Sequence, residues 1–134
     1  MIWESSGPPG SRPRWARDLM IGPTMHVIAD ICVTPLGVGV STSRYVAACV
    51  KVLRDARLNP QLHAYGTNVE GKWDRVFDAL RKCHRVVHAM GAPRISTTIR
   101  LGTRTDREQT IEDKVRSVEE KLRTKFPKKP RPRG

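Results

Sequence analysis

From Lys72 to Met90 the residues Trp73, Val76, Phe77, Leu80, His84 and Val87 hold helical spacing, and Gly91 and Pro93 stop the pattern. A helix of about five turns with one apolar stripe must lay that stripe on another layer. The neighbouring segments supply one. His26 to Thr34 is a β-branched run that Pro35 is expected to end, with Val27, Ala29, Ile31 and Val33 on one face and His26, Ile28, Asp30, Cys32 and Thr34 on the other. Gln61 to Tyr65 alternates again, Gly66-Thr67 reads as a tight reversal into a short strand ending at Glu70-Gly71, and Ile95 to Leu101 alternates once more. Residues 43 to 56 place Val46, Cys49, Val50 and Leu53 at i, i+3, i+4 and i+7, an amphipathic helix for which Ser41 or Ser43 is available as N-cap. Thr110 to Asp113 has capping-box spacing and opens a last helix striped by Ile111, Val115, Val118 and Leu122, with Glu112/Arg116 and Glu119/Arg123 as i,i+4 pairs.

The order is strand, helix, strand, strand, helix, strand and one more helix. Two β-α-β crossovers side by side give an α+β fold, the ferredoxin-like sandwich (βαββαβ) with an extra C-terminal helix and an antiparallel sheet open on one face. That face is expected to carry Asp30, Cys32, Thr34, His63, Tyr65, Ser96, Thr98 and Arg100, a set too polar for a core. The last helix or a second subunit is available to cover part of it. Such a face suits either a small polar ligand or a subunit interface, and both readings hold if a pocket lies between subunits.

The ends differ from this middle. Of a net charge of +12, five positive charges and no negative one lie in residues 124 to 134. Residues 1–25, with Ser-Ser-Gly-Pro-Pro-Gly-Ser-Arg-Pro-Arg at 5–14, offer no apolar face, so they are expected to be a disordered extension, either a targeting segment or the product of an upstream start. The expected organisation is therefore 1–25 disordered, 26–123 folded and 124–134 a basic, proline-rich disordered tail. The three cysteines, Cys32, Cys49 and Cys83, have no CxxC spacing and fit a reducing compartment without a disulfide framework. No apolar run approaches the ~18 residues of a membrane span, so a cytoplasmic protein without a membrane partner is expected. His84 and His88 have the spacing of a metal half-site but no third ligand nearby, so no metal is expected. The charge alone allows weak contact with polyanions. A specific nucleic-acid site of the open-sheet type needs stacking aromatics, and Asp30, Cys32, Thr34, Ser96 and Thr98 provide none.

Three segments carry a resemblance. Ile28-Ala29-Asp30-Ile31-Cys32-Val33-Thr34-Pro35-Leu36-Gly37, Gly66-Thr67-Asn68-Val69-Glu70-Gly71-Lys72-Trp73-Asp74, and Ile99-Arg100-Leu101-Gly102-Thr103-Arg104-Thr105-Asp106 with Glu112-Asp113-Lys114-Val115 resemble the small YkoF-like thiamine-binding family, most closely its fungal members. The resemblance covers roughly residues 26 to 123. It implies a ferredoxin-like subunit assembling through its sheets into a homodimer or homotetramer, with thiamine or its hydroxymethylpyrimidine moiety bound near subunit contacts. It also implies a binding protein rather than an enzyme, with no catalytic residues and no cofactor beyond that ligand. The family motif carries over onto Asp30, Thr34, Ser43, Gly66, Thr67, Glu70, Gly71 and Arg100. Where the family has a hydroxyl-bearing turn after the first strand, this chain has Val38-Gly39-Val40.

Thiamine's chemistry fits such residues. Its aminopyrimidine needs an acceptor for the amine and donors for the ring nitrogens, and its thiazolium favours carboxylates or an aromatic face. Glu70 or Asp30 can accept from the amine, Thr34, Ser43 and Thr67 can complete the ring hydrogen bonds, and Tyr65 can flank the ring. Glu70 has a structural alternative beside the start of the second helix, where a carboxylate is favoured by the helix dipole. The alternative function is a structural or regulatory homo-oligomer without a small-molecule ligand. The charge distribution makes one prediction. A chain running from Met25 to Thr124 is expected to keep its thermal midpoint and thiamine affinity while losing retention on a polyanion column. Unfolding of that shortened chain would mean that an end segment packs onto the domain.

Overall fold

The computed structural model describes residue 22 and residues 24–132. The expected disorder of residues 1–25 therefore falls almost wholly outside the described residues. The elements are β1 (His26–Leu36), α1 (Ser43–Asp55), β2 (Gln61–His63), β3 (Gly66–Lys72), α2 (Trp73–Ala89), β4 (Arg94–Thr103) and α3 (Ile111–Lys125). The four strands form one antiparallel sheet in the order β2-β3-β1-β4, which is the ferredoxin-like arrangement the alternation implied. Residues 126–132 carry no helix or strand.

Hydrophobic burial sets which face of the sheet is inside. Val27, Ala29, Ile31 and Val33 of β1 are buried with Val69 of β3 against Tyr45, Cys49 and Leu53 of α1 and Val76, Ala79, Cys83 and Val87 of α2. Each fully buried branched aliphatic side chain contributes roughly 1.5–3 kcal/mol, so this layer accounts for the α1/α2 side of the sheet. In both helices the buried stripe is rotated slightly from the expected one. Tyr45, with its hydroxyl held by Arg44 at 2.6 Å, takes a core position that apolar spacing had assigned to Val46. The N-cap of α1 is Thr42 rather than Ser41 or Ser43, whose hydroxyls bond each other at 3.2 Å.

Two strand boundaries also differ. β2 ends at His63, so the reversal is Ala64-Tyr65, and Gly66 and Thr67 already belong to β3. The cause is packing at Gly66. A Cβ there would stand 2.9 Å from Asp30 Oδ1 and 3.0 Å from the Ile31 carbonyl oxygen, so the chain must already be flat against β1 at this residue. Pro35, expected to end β1, lies inside it. The Ile31 carbonyl is aimed at β3, and alternate residues of a strand send their backbone groups to the same side, so Val33 and Pro35 also face the β3 side. Pairing of β1 with β3 stops at Ile31↔Thr67, whereas pairing with β4 runs on to Leu36↔Arg94. Pro35 therefore lacks its N–H where no strand would accept it, and proline is tolerated at such an edge.

The opposite face is partly covered. α3 begins with the expected Thr110/Asp113 capping box, and Arg116 pairs with Glu112 at 2.6 Å. Ile111 is buried, while Val115, Val118 and Leu122 of the same stripe, and Phe126 beyond it, are exposed. What anchors the start of this helix is Glu70. Its Oε2 accepts from the Ile111 N–H at 2.6 Å and its Oε1 from Asn59 Nδ2 at 3.2 Å, while its own N–H donates to the Leu58 carbonyl at 2.9 Å. The predicted structural role thus applies to the third helix, not the second. Replacing Glu70 by Ala is expected to cost about 0.5–2 kcal/mol and to speed amide hydrogen exchange in the first turn of α3 while leaving β1 and β4 protected. Equal loss of protection throughout the sheet would contradict this local anchoring.

Candidate functional site

Asp30 sits at the centre of the open face, opposite Asn68 on β3 and Arg100 on β4. Its Oδ1 bonds His63 Nε2 at 2.6 Å and its Oδ2 accepts from Arg100 Nη2 at 3.0 Å. His63 Nδ1 accepts the Tyr65 backbone N–H at 3.2 Å, which places the ring proton on Nε2, the nitrogen that donates to Asp30. The hydrogen bond from His63, reinforced by that from Arg100, holds the Asp30 carboxyl below its ordinary value of 3.8 against the opposing effect of desolvation. Asp30 therefore braces β2, the Tyr65 turn and β4 at once. Gly66 is the floor that lets His63 reach it, because an added Cβ would collide with Asp30 Oδ1 and lie 3.4 Å from His63 Cε1.

Two hollows flank this brace. One, of about 620 Å³, lies between the open face and α3. Asp30, Asn68, Arg100, Arg107, Gln109 and Lys114 line it with apolar wall from Ile28, Ile111 and Val115. The other, of about 240 Å³, wraps the unpaired edge of β1 beyond Ile31. Thr34, Tyr65, Gly66 and Thr67 line it together with Thr42, and Val46, Cys49 and Leu53 of α1 form its apolar side. Cys32 Sγ and Thr34 Oγ1 lie 3.5 Å apart at its rim.

Of the eight residues expected at a site, four, Thr34, Tyr65, Gly66 and Thr67, converge on this notch. Asp30 and Arg100 line the larger cleft instead. Ser43 and Glu70 line neither. Ser43 is exposed at the start of α1, and both carboxylate oxygens of Glu70 are engaged at α3. Thr67 does not face the open side. It is buried on the helix side of β3, and it reaches the notch only because the notch passes under the sheet edge. Tyr65 belongs to the turn, not to a strand face, and is 88% exposed at the mouth. Sequence reading missed Thr42 and the β1 edge itself, for which Pro35 within a β-branched run was the available signal. His84 and His88 bond Thr97 Oγ1 at 2.6 Å and the Ala92 carbonyl at 2.8 Å, respectively, which are structural uses of both rings.

The Asp30 brace makes a pH-dependent prediction. Because its carboxyl titrates lower when folded, its contribution is fully present above pH 3.8 and is lost as pH falls through the folded value. Asp30→Asn is expected to lower stability by about 1–3 kcal/mol at neutral pH and to flatten the fall of the thermal midpoint below about pH 4. An unchanged acid limb in this variant would show that Asp30 is not coupled to folding.

Comparison with known proteins supports one lineage. The family profile described as Thiamine-binding protein matches residues 29–119. A UPF0045 protein of Synechocystis is 63% identical over 95 residues, covering 71% of this chain and 78% of that protein. A UPF0045 protein of Eremothecium gossypii, ECM15, is 44% identical over 99 residues, 73% of this chain and 94% of its own. Among solved structures, a protein of Methanocaldococcus jannaschii superposes with a TM-score of 0.67 at 31% identity, over 72% of this chain and 98% of that one. A candidate thiamine biosynthesis/salvage protein of Thermotoga maritima gives 0.60 at 18% identity over 69% and 98%, a likeness of fold alone. With the family profile spanning β1 to α3 and relatives this similar along the same stretch, the chain belongs to the thiamine-binding protein family.

Proposed function

We propose that the protein binds thiamine, or its hydroxymethylpyrimidine moiety, without catalysing a reaction on it, and that the pyrimidine enters the notch at the edge of β1. The observation that carries this reading is the convergence of Thr34, Tyr65, Gly66 and Thr67 on one hollow of about 240 Å³, room for a single substituted ring but not for a large cofactor. Hydroxyls of Thr34, Thr42 and Thr67 offer donors and acceptors there, and Val46, Cys49 and Leu53 give the ring an apolar surface. At the mouth, Tyr65 is 88% exposed and Leu62 64% exposed, and the tyrosine face suits a thiazolium cation. The family membership points to the same ligand class. The relatives matched carry no catalytic name, and the notch presents no nucleophile paired with a base.

A second reading is a structural or regulatory homo-oligomer without a ligand. The exposed stripe Val115, Val118, Leu122 and Phe126, beside a half-covered sheet face, favours self-association into dimers or tetramers. The two readings are compatible, and calorimetry separates them. Titration with thiamine and with hydroxymethylpyrimidine is expected to give saturable heat at one site per chain, reduced several-fold by Tyr65→Ala. Absence of heat with both ligands, in a protein that sediments as a stable oligomer, removes the binding reading and leaves the structural one.

A further inference from the structure

Resting on the ligand reading above, we infer that the backbone of Val33, its N–H and C=O together, is the element that recognises the ring, and that the notch selects planar heterocycles carrying a ring-nitrogen acceptor beside an exocyclic amine donor. Val33 follows the last residue that β3 pairs, and its backbone faces the same side as that of Ile31, whose carbonyl is turned toward Gly66. Val33 is only 8% exposed as a whole and its side chain belongs to the core, so what it offers the notch is main chain. Among the described residues, neither backbone group of Val33 takes part in a turn or loop bond or receives a side-chain partner. A nearly buried donor and acceptor left in this state cost free energy unless something occupies them.

One strand residue with both groups free presents a donor and an acceptor side by side. A 4-aminopyrimidine is the complement, since its ring nitrogen accepts the N–H and its amine donates to the C=O. Another strand is a poorer occupant. An added strand needs donors at successive outward residues, and the next one, Pro35, has none. A single ring needs only the one pair. Ring and edge then lie in the plane of the sheet, with Thr34 and Thr67 on the two neighbouring strands and the side chains of α1 beneath.

The test uses the full chain and hydroxymethylpyrimidine as probe. In the free protein the Val33 amide is expected to exchange with solvent faster than those of Ile31 and Ala29. On saturation with the probe its proton resonance should move downfield and its exchange slow by at least about 10-fold. Val33→Pro removes this N–H, at a position where β4 does not use it, and exchanges the core-facing isopropyl group for the proline ring; it should weaken the probe by about 10-fold. The probe lacking its 4-amino group should lose a similar factor. If the probe binds while the Val33 amide is unmoved and the deaminated ring binds equally well, the inference is overturned and the ligand reading stands. Protection of Val33 in the free protein that rises with protein concentration would assign the edge to a second copy and overturn it as well. No binding by the unmodified chain defeats the ligand reading itself. Should Val33→Pro fail to fold, the exchange and ring-analogue measurements on the unmodified chain still decide.

Discussion

The unequal pairing of β1 is the constraint from which the candidate site follows. β4 accompanies this strand to Leu36, but β3 leaves it at Ile31, because the β2-β3 hairpin turns at Ala64-Tyr65. A central strand normally has every backbone group satisfied from both sides. Here one side is satisfied for only half its length, and the space that a longer hairpin would fill is the notch. α1 passes beneath that gap with Val46, Cys49 and Leu53, so the hollow has an apolar surface without opening the core. Pro35 protects the exposed edge from strand addition at no cost to the ladder.

The hairpin stays short because its turn is pinned. His63 bonds Asp30 on one nitrogen and the Tyr65 amide on the other, so the charge at the centre of the open face reaches the turn through a single imidazole. Gly66 makes this possible by leaving room beneath the pair. Gly71 has a parallel role at the other end of β3, where φ is +155° and a Cβ would lie 2.8 Å from Leu58 Cδ2, in the space of a fully buried leucine. Glu70 between them ties the Leu58-Asn59 connection and the start of α3 to the same strand. Much of the Gly-Thr-x-x-Glu-Gly signature is thus occupied in holding β3, its hairpin and α3 in place, and only its first two residues border the notch.

The cysteines follow the same division between structure and site. Cys83 is fully buried and its thiol donates to the Cys49 carbonyl at 3.8 Å, with the Cys49 thiol and burial both pushing Cys83 to a higher pKa. Contact with Cys83 lowers that of Cys49, which lies on the notch side of the pair. This pair joins α1 to α2 as small apolar-like groups within the core.

Local physics was enough to read the element order, the inward face of β1, the capping box at Thr110 and the open-faced sandwich, because alternation, helical spacing and caps are written in neighbouring residues. The family resemblance picked out Thr34, Gly66 and Thr67, alternation and ligand chemistry added Tyr65, and the same resemblance picked out Glu70 and Ser43, which border neither hollow. Where β1 loses its partner depends on how long the hairpin is, and that is decided by a contact between Asp30 and His63, 33 residues apart. Which carboxylate oxygens are free depends on where α3 returns, 41 residues after Glu70. Such facts arise from chain segments distant in sequence competing for the same donors and space. The sandwich and the family are legible in neighbouring residues and motif segments, whereas long-range packing set where β1 goes unpaired, and with it the convergence of Thr34, Tyr65, Gly66 and Thr67 at a strand edge.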